Sequence, residues 1–205
     1  MKIFLFYAAI IAICAPALRA STILSENFDE LTPQLTVTSA GAFTAINGTN
    51  VDIVGGAAFP LCNGPESGSC LDLNGTGGNS QGQLQSTAVF APGNYLLSFD
   101  LIGDQRGSTA SATVSLGNYS QTFTLASGDL SSGIVTDLPV TITTPSALLF
   151  TSGTAGPIGL LLDNVVLSTG STVPEPTTLT LMGLALILGA VCLRRWSPSR
   201  APNNR

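Results

Sequence analysis

Hydrophobic and polar positions alternate through much of the middle of the chain. Tyr95, Leu97, Phe99 and Leu101 fall on one side, and Leu96, Ser98, Asp100 and Ile102 on the other. Ala112, Val114 and Leu116 alternate with Thr113 and Ser115. Tyr119, Phe123 and Leu125 alternate with Ser120, Thr122 and Thr124, and Val140 and Ile142 with Thr141 and Thr143. A period of two, rich in threonine and aromatic residues, predicts half-buried strands. Pro92-Gly93-Asn94, Gly103-Asp104, Gly117-Asn118 and Ser127-Gly128-Asp129 mark the turns between them. No segment from Ser21 to Thr172 has a helical period. The pattern predicts an all-β antiparallel sandwich of the jelly-roll type.

The two ends break this pattern. Lys2 precedes an apolar run, Ile3 to Ala15, followed by the small residues Ala17 and Ala20. A positive start, a short apolar stretch and small residues at a cleavage point predict a signal peptide helix, cut after Ala20 or Ala17. At the other end, Val173-Pro174-Glu175-Pro176 precedes an apolar run closed by Arg194 and Arg195. Thr177 to Leu193 spans about 25 Å as a helix, close to the lower limit for crossing a bilayer. The arginines place that end in the cytoplasm and the rest of the chain outside. The chain therefore divides into a signal peptide (1–20), a sandwich (21–168), a linker holding the Pro-Glu-Pro motif (169–176), a transmembrane helix with its arginines (177–195) and a cytoplasmic tail (196–205). A glycolipid-anchor signal would end in its apolar stretch, and this chain does not.

Charge narrows the function. From Ser21 to Thr172 there are eleven carboxylates and one base, Arg106, a formal charge of −10. Such a surface repels nucleic acid and anionic lipid, and it attracts divalent cations. The chain has no histidine, which removes histidine-based triads and metal sites. Cys62 and Cys70 are the two cysteines between the terminal segments, and in an exported chain they invite a disulfide. Trp196 lies in the tail, so the middle lacks the tryptophan platform common in sugar binding. We expect no enzyme activity and no catalytic residues. The different-class alternative is a carbohydrate-active hydrolase using paired aspartates such as Asp72 and Asp100. A permanent single-pass membrane protein is a third reading.

The order Pro-Glu-Pro, apolar helix, arginine cluster resembles the PEP-CTERM sorting domain, carried here by Val173, Pro174, Glu175, Pro176, Arg194 and Arg195. The resemblance implies processing by an exosortase, a membrane protease of a Gram-negative-type envelope. It also implies release from a transient membrane anchor to the cell surface or extracellular polymer. The stretches Leu71 to Gly75, Gly93 to Asp100, Gly103 to Gly107 and Gly159 to Val165 resemble galactose-binding-like and carbohydrate-binding sandwiches, and Glu26-Asn27-Phe28-Asp29 resembles their opening strand. This implies a structural or adhesive role, with extracellular polysaccharide as a partner. It also implies a structural calcium held by Asp163 with Glu26 or Asp29. Asp163 is notable in its own right, because its strand is apolar on both faces and a carboxylate there needs a partner. The plainer reading is that it accepts backbone N–H groups. Arg106 is expected to pair with an acid. Asn47, Asn74 and Asn118 each start a glycan-acceptor pattern.

Overall fold

A computed structural model describes residues 20–64, 68–77 and 81–170. The predicted signal peptide, apart from Ala20, and all the sorting-motif residues lie outside the described residues. So do the predicted transmembrane helix, Glu66 and Trp196. Among the described residues no helix is long and apolar enough to cross a membrane.

Thirteen strands build two antiparallel sheets, and the described residues contain no helix. The seven-stranded sheet, sheet A, runs β11 (Gly133–Ile142), β8 (Gly93–Ile102), β13 (Leu161–Thr169), β6 (Ser69–Asp72), β5 (Val51–Gly55) and β2 (Gln34–Val37), with β1 (Thr22–Glu26) also paired to β13. The six-stranded sheet, sheet B, runs β10 (Tyr119–Leu125), β9 (Ala110–Leu116), β12 (Leu149–Ser152), β7 (Gln83–Ser86), β4 (Phe43–Ala45) and β3 (Ser39–Ala40). The predicted alternation is realised in β8, where Tyr95, Leu97, Phe99 and Leu101 are buried. In β9, Ala112, Val114 and Leu116 are likewise buried.

A line of phenylalanines joins the sheets. Phe28 meets Phe43 with ring centroids 6.1 Å apart, Phe43 meets Phe150 at 6.0 Å, Phe150 meets Phe99 at 5.7 Å, and Phe99 meets Phe123 at 5.6 Å. The last two contacts are edge-to-face, a geometry favoured by the ring quadrupole. Each ring removed from water contributes about 1.5–3 kcal/mol. These five residues come from β4, β8, β10, β12 and the β1–β2 connection, so the core ties distant parts of the chain together.

Two readings need adjustment. The resemblance placed the opening strand at Glu26 to Asp29, but β1 stops at Glu26. Phe28 takes a left-handed conformation (φ 56°), held by its N–H donating to Glu26 Oε1 at 3.1 Å and its carbonyl accepting from Leu31 N at 2.9 Å. The turn drives the Phe28 ring into the core. The outer side of sheet A also differs from an ordinary solvated face. Val54, Cys70, Ile102 and Leu161 form a second small core there, roofed by Phe59, Leu61 and Cys62. The Cys62–Cys70 disulfide is formed and ties that roof to β6.

Candidate functional site

The carboxylates gather on sheet A and its connections. Asp52 on β5 lies opposite Asp72 on β6, and Asp163 on β13 lies opposite Asp100 on β8. The apolar runs around Asp52 and Asp163 are what bring these acids inside, since their neighbours must face a core.

Asp163 is 1% exposed. Its Oδ1 accepts from the N–H of Asn164 at 2.7 Å. Asn164 sits in a bulge with φ 52°, and its side chain donates to Asp100 Oδ2 at 2.9 Å. Burial pushes the Asp163 carboxyl up to about 7, against the Asn164 hydrogen bond, and the negative charges of Asp29, Asp100 and Glu26 push the same way. Asp163 thus feels the charges of Glu26 and Asp29, the residues expected to join it in holding calcium. Glu26 accepts from Phe28 N and, at 2.8 Å, from Ala42 N. Asp29 accepts from Ser69 N at 3.2 Å and from the Asn27 side chain at 2.9 Å. Gly41, at φ 55°, makes the Glu26 reach possible, because a Cβ there would stand 1.9 Å from Glu26 Oε2. Gly68 does the same for Asp29 Oδ1. Among the described residues no three acids are arranged to hold a metal ion. The donors are hard oxygens, which suit calcium chemically, but all three carboxylates accept from backbone N–H groups.

Asp72 is fully buried. It forms an ion pair with Arg106, as expected for the single base of the domain, and accepts from Asn74 N and Gly159 N, both at 2.9 Å. Burial still raises its carboxyl to about 6, because the charge of Arg106 and these hydrogen bonds only partly offset desolvation. Asp104 sets the Arg106 loop by accepting from Arg106 N at 2.9 Å and from Ser108 N at 3.1 Å. Burial opposes the charged form of Asp104, but bonds from Ser127, Arg106 and Ser108 prevail and hold its carboxyl below the usual range. Asp72 therefore faces Arg106, while Asp100 faces Asp163 and Asn164. A groove of about 280 Å³ beside the ion pair is lined by Asp52, Phe59, Thr76 and Arg106 among others.

Two residues of this network have duties that their sequence context did not predict. Asp52, 2% exposed, accepts from Thr36 N at 2.7 Å and from Thr76 through both its N–H and hydroxyl. An acid inside the apolar run Val51 to Val54 is the signal that could have found it. Asn74 began a glycan-acceptor pattern, yet it is fully buried. Its amide donates to the carbonyls of Thr154 and Ile158 and accepts from Gly82 N at 2.9 Å. No acceptor chemistry is open to it there.

Residues 172–195 match the PEP-CTERM protein-sorting motif, the region where Val173 to Pro176, Arg194 and Arg195 carry the resemblance. No curated protein sequence matches the chain. Among solved structures, the sandwich is similar to the K3 cleaved adhesin domain of Lys-gingipain from Porphyromonas gingivalis, with 15% identity and a TM-score of 0.50, covering 74% of this chain and 100% of that one. The K1 adhesin domain of the same protein gives 18% identity and a TM-score of 0.45, covering 73% and 99%. A Clostridium thermocellum xylanase 10B structure with a CBM22-1 module gives 11% and 0.40, covering 72% of this chain and 28% of that one. At 15% identity and a TM-score of 0.50, the likeness to the K3 domain speaks to fold alone, and it supports the two-sheet antiparallel sandwich.

Proposed function

We propose that this chain is an exported, non-catalytic module that an exosortase processes at its tail and that then serves a structural or adhesive role at the cell surface or in the extracellular matrix. The sorting motif at 172–195 carries this reading, because it implies export and surface association. The sandwich shares its fold with a domain named as an adhesin, which agrees with the role without proving it. The acids have structural duties: Asp72 neutralises Arg106, and Asp52 and Asp104 fasten loops. That supports a binding role over hydrolysis by Asp72 and Asp100. Fractionation of cells that have an exosortase tests the reading. The wild-type chain should leave the inner membrane in a shortened form, and a Pro174→Ala, Glu175→Ala, Pro176→Ala variant should stay uncut in it. Equal retention of both would favour a permanent single-pass protein. Hydrolysis of a glycan panel would favour the enzyme, whereas binding without turnover favours an adhesin.

A second reading concerns calcium. The charges of three carboxylates, Asp29, Asp100 and Glu26, act on Asp163, and the one cation of the domain is already paired with Asp72. A divalent cation held by Asp163, Glu26 and Asp29 would relieve that repulsion and lock the β1–β2 turn to β13. Differential scanning calorimetry in calcium and in EDTA decides it; identical melting in both would end the idea.

A further inference from the structure

We propose that β10 is a self-association edge, at which two copies of this chain pair β10 with β10, antiparallel about a two-fold axis, and so join their six-stranded sheets. This goes beyond delivery to the surface and stands on the edges of the sandwich. An edge strand exposes unpaired N–H and C=O groups, and proteins usually blunt it by shortness, charge, proline or a bulge. The other edges, β1, β2, β3 and β11, are blunted in those ways. β1, paired only with β13, has five residues, Glu26 and a register shift between Thr22 and Leu24. On β11 there are Asp137, at φ 49°, Pro139 and a register shift between Val135 and Leu138. β2 has four residues and a shift between Gln34 and Val37, and β3 has two residues.

β10 has none of these devices. It pairs with β9 over seven residues, Tyr119 to Leu125, without a bulge. It contains no Pro, Asp, Glu, Lys or Arg, and Ser120, Gln121, Thr122 and Thr124 are exposed. An antiparallel ladder leaves the backbone groups of alternate residues on its free side. Among the described residues, no backbone group of β10 bonds to anything but β9.

Charge selects the partner. The domain carries −10, so two copies repel each other wherever their acids meet. None of those acids is on a strand of sheet B. Joining through β10 brings uncharged strands together and avoids like charges across the seam. A strand paired antiparallel with itself is also self-complementary, as a two-fold interface requires. With the axis at Thr122, the middle residue of β10, Thr122 meets its own copy and Ser120 meets Thr124.

Cysteine cross-linking of the full chain in the expressing cell tests this. Residues opposite each other across an antiparallel pair have Cα atoms about 4.5–5.5 Å apart. That lies within the range of about 4.4–6.8 Å that a disulfide spans. Thr122→Cys should give a reducible band at twice the monomer mass. Val89→Cys, exposed but away from the edge, should stay at the wild-type background. Co-expressed Ser120→Cys and Thr124→Cys chains should cross-link to each other. A Thr122→Cys band no stronger than that of Val89→Cys, together with no Ser120–Thr124 product, overturns the proposal. A Thr122→Cys adduct of another mass shows the edge taken by a different protein and overturns it too. The readout is mass, so it holds whether or not the tail is processed.

Discussion

The two sheets of this sandwich share one core but differ outside it. The strands of sheet A hold Glu26, Asp52, Asp72, Asp100, Asp137 and Asp163, and sheet A carries a second apolar cluster under a disulfide-tied roof. The strands of sheet B hold no charged side chain at all. Mostly hydroxyls and amides cross its outer face in register: Gln83, Thr151, Thr113 and Thr122 form one row, and Thr44, Gln85, Ser115 and Ser120, with the apolar Leu149 between Gln85 and Ser115, another. A net charge spread over a sequence thus becomes a one-sided charge in the fold. Sheet A concentrates electrostatic energy in a few buried groups, whereas sheet B distributes small contributions over many neutral pairs. Single substitutions should therefore cost much on one side and little on the other.

The largest departure is expected at Asp163. Its carboxyl titrates near 3.8 when unfolded and near 7 when folded, so the folded state binds the extra proton. The stability this gives is complete below pH 4 and is lost as the pH rises through 7. Without calcium, urea unfolding should show a less stable domain at pH 8 than at pH 5. Asp163→Asn should remove most of that difference, with an upper bound of about 3 kcal/mol from linkage between pH 5 and 7. If calcium binds, the same substitution in millimolar calcium should destabilise instead.

Arg106→Ala comes next. It leaves Asp72 buried and unpaired, and breaking a buried pair costs about 3–5 kcal/mol, here toward the low end because Arg106 is partly open to water. The loss should shrink at pH 5, where Asp72 keeps its proton. Cys62→Ser with Cys70→Ser should cost about 2–3 kcal/mol, from the loop entropy of a short bridge. Near-equal stability by calorimetry would mean the roof packs without it. On sheet B, the Thr113 and Thr122 hydroxyls bond each other at 2.8 Å. A double-mutant cycle of Thr113→Val and Thr122→Val should give only about 0.2–1 kcal/mol of coupling. A coupling above 2 kcal/mol would erase the contrast between the sheets.

The same contrast explains what could be read from sequence. Strands β8 to β10 declared themselves because each runs seven to ten residues with one buried face. Strands β2 to β7 did not, since two to five residues such as Ser39–Ala40 or Phe43–Ala45 are too short to display a period. Asp163 was legible as an acid in an apolar strand. The partner of Arg106 was not, because Asp72 is 34 residues away and is brought near only because β13 pairs with both β6 and β8. Asn74 was misleading: its local pattern matched a modification signal, while its side chain serves the core.

The position of β13 sets the order in which the sheet can close. This strand is the last of the domain, yet it lies inside sheet A, bonded along one side to β8 and along the other to β6 and β1. Ser21 and Thr169 exchange hydrogen bonds where the first and last strands meet. Sheet A cannot close until residue 169 is free to join the first strand, and the sorting motif begins three residues later. A chain that emerges from its N-terminus therefore keeps β8 and β6 unjoined until β13 is complete, a few residues before the sorting motif.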